Sequence, residues 1–163
     1  MRRRRFAAGA PDEPADCACF CQNWYCRGDE DRRVLEACEL AAPCDLLLVV
    51  PRLGAADHEA ERCVLEHVRD RVPGLYEVFL STGVDGTSTR LYVVGEQAWR
   101  IRQVPEEIES CPKVSDWTRA ELCTLAPTEY FATCLEVSEP GEDCVLHLDA
   151  WLHDCVEQPP SCE

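Results

Sequence analysis

Tyr76-Glu77-Val78-Phe79-Leu80 and Arg90-Leu91-Tyr92-Val93-Val94, separated by a loop containing Asp85-Gly86, decide how this chain is read. Both runs are rich in β-branched and aromatic residues, which pack well on a pleated surface, and Asp-Gly adopts the positive φ angles of a two-residue hairpin turn at little steric cost. With Asp85-Gly86 as that turn, Leu80 pairs with Leu91 and Val78 with Val93 on one face, while Phe79 meets Tyr92 on the other. Apolar partners sort together, an agreement that a one-residue slip would destroy. Trp99-Arg100-Ile101-Arg102-Gln103 reads as a third strand, and a three-residue turn at Gly95-Glu96-Gln97 sets Trp99 and Ile101 beside Val93 and Leu91.

Upstream of the hairpin, residues 56–72 carry Ala60, Val64, Val68 and Val72 on one helical stripe, with Cys63, Leu65 and His67 at its edges. Glu59, Arg62, Glu66, Arg69 and Asp70 point away, and Pro73-Gly74 ends the helix. An earlier helix is expected from Asp29, whose neighbours Glu30 and Asp31 suit a helix N-terminus. It runs through Val34, Leu35, Cys38 and Ala41 before Pro43, and residues 17–28 read as a cysteine-rich loop ahead of it. Asp45-Leu46-Leu47-Leu48-Val49-Val50 is apolar enough for a buried strand or a short helix, and its periodicity does not arbitrate. Downstream, residues 117–125 read as a fourth strand or a helix, and the loose helical spacing of Trp117, Ala120, Leu122 and Leu125 favours the strand. Ala126-Pro127 opens a helix carrying Tyr130, Phe131, Cys134 and Leu135. A last helix is expected from Glu142-Asp143, with Val145, Leu148, Leu152 and Cys155 on one side.

Helix, antiparallel meander, then helices is an α+β order. We expect three to four strands packed on α-helices and stapled by disulfides, in a helix-plus-sheet arrangement of cystatin-like type. Residues 1–16 form a tail that is basic and then rich in Pro, Asp and Glu, and residues 17–163 form a single domain. The string Glu61-Arg62-Cys63-Val64-Leu65, then Val68-Arg69-Asp70-Arg71-Val72-Pro73-Gly74, the hairpin, and Ala126-Pro127-Thr128-Glu129-Tyr130-Phe131-Ala132-Thr133-Cys134-Leu135 resembles uncharacterised cysteine-rich predicted secreted proteins or lipoproteins of the myxobacterial type. The resemblance spans residues 38–160. It implies an exported location and brings no activity with it. The chain departs from that pattern before Cys17, where a signal peptide or lipobox is expected. Met1-Arg2-Arg3-Arg4-Arg5-Phe6 suits a basic leader, yet Ala7-Ala8-Gly9-Ala10 runs into Pro11-Asp12-Glu13-Pro14 without an apolar stretch; of a misassigned or trimmed start, unconventional export and an intracellular chain, we favour the first.

Composition bounds the function. The 163 residues carry a net charge of −15, which repels phosphate backbones and argues against nucleic acid as a partner. No uncharged apolar run approaches the ~18 residues of a membrane-spanning helix. After Arg119 there is no basic residue, while ten acids follow, so the last third presents an acidic surface. Thirteen cysteines in a chain of this size point to disulfides and an oxidising compartment: periplasm, cell surface or outside. Bridge candidates are Cys38, Cys44, Cys63, Cys111, Cys123, Cys134, Cys144, Cys155 and Cys162; the odd total leaves at least one thiol over.

Three chemical readings compete. The first is a disulfide-stabilised binding or structural module with no catalysis and no cofactor, acting on an unknown protein or cell-surface partner. Its interaction surface would be the outward pair Phe79 and Tyr92 with Arg90 and Arg100, unless a second helical layer covers that face. The second is a metal protein holding zinc or copper on Cys17, Cys19, Cys21 and Cys26, since alternating cysteines in an extended segment turn their sulfurs to one side. The spacing departs from structural zinc, which uses repeated pairs two to four residues apart. The third is a thiol enzyme or redox carrier at Cys63 and His67, one helical turn apart. The acid clusters Glu106, Glu107, Glu109 and Glu139, Glu142, Asp143 read as solvated charge.

Overall fold

The computed structural model describes residues 24–50, 58–81, 86–103, 117–136, 144–145 and 147–162, with side chains in the first helix from Gly28 onward. Its elements are α1 (Trp24–Glu36), β1 (Leu47–Val49), α2 (His58–Arg69), β2 (Gly74–Ser81), β3 (Gly86–Val94), β4 (Gln97–Arg102), β5 (Glu121–Leu125), α3 (Thr128–Glu136), a 3₁₀ turn (Leu148–Ala150) and β6 (Leu152–Glu157). The six strands form one sheet in sequence order. Only the β1–β2 pair is parallel, and α2 supplies the crossover that parallel neighbours need. The α+β architecture stapled by disulfides is as the sequence led us to expect, with an edge strand added on each side of the meander.

The sheet is covered on both faces. On one, Tyr76, Val78, Leu91, Val93, Ala98 and Leu125 pack against Val64, Leu65 and Val68 of α2, Phe131 of α3, and Trp151. Trp151 is fully buried, donates its indole N–H to the Cys144 carbonyl at 2.6 Å, and stands edge-on to Phe131. On the other face, Tyr92, Trp99, Ile101 and Ala120 pack against Leu35 of α1.

Both hairpin registers differ from expectation. In the β2–β3 pair, Leu75 opposes Tyr92, Tyr76 opposes Leu91, Val78 opposes Thr89 and Phe79 opposes Ser88. The last pair is Ser81 with Gly86, so four residues rather than Asp85-Gly86 alone make the connection. The slip is even, so Val78, Leu91 and Val93 still share a face and Phe79 and Tyr92 still share the other; only the partners change. Gly86 lies in the strand because a Cβ there would collide with the Phe79 ring: the glycine is a seat for the aromatic, not a turn. Between β3 and β4 the slip is odd. Val94 pairs with Gln97, and a two-residue turn has Gly95 at φ 61°, a conformation glycine adopts freely. Trp99 and Ile101 therefore join Tyr92's face, and Ala98 and Arg100 join Leu91's.

Three element boundaries also move. α1 starts at Trp24, so residues 24–28 are helical rather than loop, and Asp31 lies within the helix. The Asp31 carboxylate accepts from Arg119 Nε at 2.7 Å and from the buried Ala120 N–H at 2.9 Å, fastening α1 to the start of β5. Gly28 allows that approach, since a Cβ there would overlap the Trp117 carbonyl. α2 ends not on glycine but on Arg71 at φ 57°, whose guanidinium bonds the carbonyls of Val68 at 3.0 Å and Ala126 at 2.6 Å. Gly74 sits instead at the start of β2, where Pro43 leaves no room for a Cβ. The helix expected from Glu142 gives way to the 3₁₀ turn and β6, which satisfies the outer backbone groups of β5. The pairing shifts between Leu122 and Thr124, with Asp154 at φ 52° on the facing strand.

Candidate functional site

Among the described residues, four disulfides join Cys38 to Cys162, Cys44 to Cys63, Cys123 to Cys155 and Cys134 to Cys144. Eight of the nine bridge candidates are thus paired, and Cys111 lies outside the described residues. Cys17, Cys19, Cys21 and the Cys26 side chain lie outside them too, as do the tail and both expected acid clusters.

The disulfide that carries chemistry beyond stapling is Cys44–Cys63. Cys63 lies midway along α2, and Cys44 lies on the segment leading into β1, so the bridge ties the helix to the strand it crosses over from. His67, one turn further along α2, places Nδ1 at 3.7 Å from Sγ of Cys63 and at 3.7 Å from Sγ of Cys44. Nδ1 also lies 2.8 Å from the Cys63 carbonyl oxygen, an arrangement in which the Nδ1–H donates to the backbone one turn back. All three side chains are half-buried. Sequence reasoning paired Cys63 with His67 by helical spacing; Cys44, nineteen residues away, is brought in only by the crossover. The three donor atoms lie within 4.8 Å of one another, near enough for one metal ion among the described residues. While the sulfurs are joined they offer no thiolate, so the cluster is a disulfide with a histidine against it rather than a ligand set.

At the other end of α2 lies a residue the sequence reading passed over. The Glu61 side chain is fully buried, and its oxygens have no hydrogen-bond partner among the described residues. The exposed His58 imidazole stands 3.5 Å from Oε2, too long for a good hydrogen bond. Burial pushes the Glu61 carboxyl up from its ordinary value, and His58 offsets this only in part. The signal was present in the spacing: positions 61, 65 and 68 fall on one side of a helix, and an acid in that row is either buried or at its rim.

The expected surface of Phe79, Tyr92, Arg90 and Arg100 is not an open patch. Tyr92 is 2% exposed and shares its cluster with Leu35 of α1. Arg100 is 7% exposed, lies on the opposite face because of the odd slip, and pairs with Glu121 at 2.9 Å and Asp149 at 2.6 Å. Arg90 pairs with Glu77 and with Glu36 of α1 and lies 4.7 Å over the Trp117 ring. Phe79 is half-buried over Gly86. A helical layer occupies that face, the second of the two arrangements that the sequence allowed. A cavity of about 120 Å³ lies between Val94, Gln97, Trp99, Leu122, Gln158 and Ser161, well under the ~300–1,000 Å³ of drug-sized ligand sites.

No helix among the described residues is long and apolar enough to cross a membrane. No protein-family model, curated protein or solved structure matches this chain.

Proposed function

We propose that this protein is an exported, disulfide-stabilised module that acts by binding or structural contact, at the cell surface, in the periplasm or outside the cell, rather than by turnover. The observation that supports this reading is the reach of the bridges. Cys38–Cys162 ties the end of the chain to the residue just after α1 across a separation of 124, and Cys123–Cys155 joins neighbouring strands at a register shift. Such cross-links persist where thiols are oxidised and are rare in a reducing cytosol. The likeness to cysteine-rich secreted proteins of the myxobacterial type accords with the same compartment.

Intact-mass measurement of alkylated protein, with and without prior reduction, tests the proposal. The expected count is a single accessible thiol among the thirteen without reduction, even in denaturant, and all thirteen after reduction. Four or more open thiols in the air-exposed, unreduced chain would overturn it and favour a thiolate metal protein built on Cys17, Cys19, Cys21 and Cys26.

A further inference from the structure

We infer that Cys44–Cys63 is a site of thiol–disulfide exchange, opened by small dithiols or by a partner's thiol pair with His67 as its proton donor. The inference goes beyond the stapled module proposed above, which needs no bridge to be reactive.

Exchange requires an attacking thiolate, an accessible sulfur and a stabilised leaving thiolate. Among the four bridges of the described residues, Cys123 and Cys134 are each 1% exposed, so Cys123–Cys155 and Cys134–Cys144 each offer a single half-buried sulfur to attack. Cys44 and Cys63 are both half-buried, and Cys38–Cys162 is at least as open. These last two bridges can be attacked at either sulfur, and His67 separates them. Its Nδ1 is equidistant, at 3.7 Å, from both sulfurs of Cys44–Cys63, so whichever sulfur is attacked, the departing one finds the same N–H beside it. The contacts of Cys38 and Cys162 given by the structure run to the Val34 carbonyl, which offers no proton. A proton donor beside the departing sulfur speeds its loss, and His67 is the side chain that the structure places at this bond.

The balance is as follows. One thiolate of the dithiol attacks Cys44 Sγ; a mixed disulfide forms, the Sγ–Sγ bond breaks with its electron pair on Cys63, and His67 in its imidazolium form turns its Nδ1–H from the Cys63 carbonyl to that thiolate, gives it the proton, and regains one from the reagent's second thiol. The second thiol of the reagent, now a thiolate, then attacks its own sulfur in the mixed disulfide, releasing Cys44 as a thiolate. The dithiol leaves as a cyclic disulfide, oxidised by two electrons, and Cys44 and Cys63 are reduced by two.

The test uses the full oxidised chain and limiting dithiothreitol at neutral pH, with timed acid quenching, alkylation and peptide mapping. Cys44 and Cys63 are expected to label first, roughly tenfold faster than Cys38 and Cys162. His67→Gln, which keeps a polar group of similar size, and His67→Ala are both expected to remove that lead while leaving the labelling of Cys38 and Cys162 unchanged. Labelling of Cys38 and Cys162 ahead of or together with Cys44 and Cys63 overturns the inference, as does an unaltered lead in either folded His67 variant. The module reading survives either result, because it depends on how many bridges exist and not on their order of opening.

Discussion

Replacing Asp31 with alanine isolates the contact that closes the second face of the sheet. The Asp31 carboxylate is 7% exposed and holds two groups on one oxygen: Arg119 Nε at 2.7 Å and the Ala120 N–H at 2.9 Å. Ala120 is wholly buried, so the variant leaves an orphan N–H away from water, a cost of about 1–3 kcal/mol. Arg119 keeps a looser pair with the exposed Glu157 at 3.3 Å, so its loss is a further ~1–2 kcal/mol rather than the full price of a stranded charge. The sum, about 2–5 kcal/mol, is a large part of the roughly 5–15 kcal/mol that holds a domain folded. For a chain of this size it lowers Tm by roughly 4–20 °C. Urea unfolding followed by circular dichroism gives the free energy, and limited proteolysis reports release of α1, with cleavage expected within residues 28–36. Asp31→Asn keeps an acceptor for Ala120 and is expected to lose about half as much. If Asp31→Ala unfolds within about 0.5 kcal/mol of the wild type, the ordinary scatter for surface changes, then α1 is not held in the way described. The Tyr92 face would then again be open to a partner.

Glu61→Gln tests the buried acid. The Glu61 pKa is raised in the folded chain, so its proton favours folding: that contribution is whole below the ordinary value of 4.5 and is lost as pH rises through the higher folded value. Glu61→Gln is therefore expected to be more stable than wild type at pH 7, by about 1 kcal/mol or ~3 °C in Tm. The advantage should vanish near pH 4, and equal melting at both pH values would contradict it. Tyr76 is buried and donates its hydroxyl to the Val72 carbonyl at 2.8 Å, and burial pushes its pKa up to about 12. In a titration at 295 nm the Tyr76 phenol should ionise only near pH 12, among late phenols that also include Tyr92 and Tyr130, with stability drawn from Tyr76 intact below pH 10 and falling between the two; Tyr76→Phe should remove that component. For the bridges, chain entropy ranks Cys38–Cys162 above Cys134–Cys144, with separations of 124 and 10, at most about 5 against about 3 kcal/mol. Paired alanine variants compared by denaturant midpoint should follow that order.

Residue types and their periods were enough to establish the α+β class, the positions of α2, β2, β3, β4, β5 and α3, and the dominance of disulfides. Each is a local property: helical stripes, alternating strands and proline at a helix start act within a few residues. Even the Cys63–His67 pairing was legible, because one helical turn sets it. What escaped were decisions made between distant segments. Residues 152–157 have a helical spacing on paper, but they pair with β5 because its edge would otherwise carry unsatisfied backbone groups. Asp31 looked like a helix-start acid and became the acceptor for Arg119 and Ala120. Gly86 looked like a turn and became the floor under Phe79. Cys44 joins His67 only through the crossover from β1 to α2, and no spacing rule reaches across a separation of 23 residues. Local chemistry proposes each element, but register, face and sulfur partner follow from burying apolar area and pairing every polar group at once, a condition met only by the whole fold.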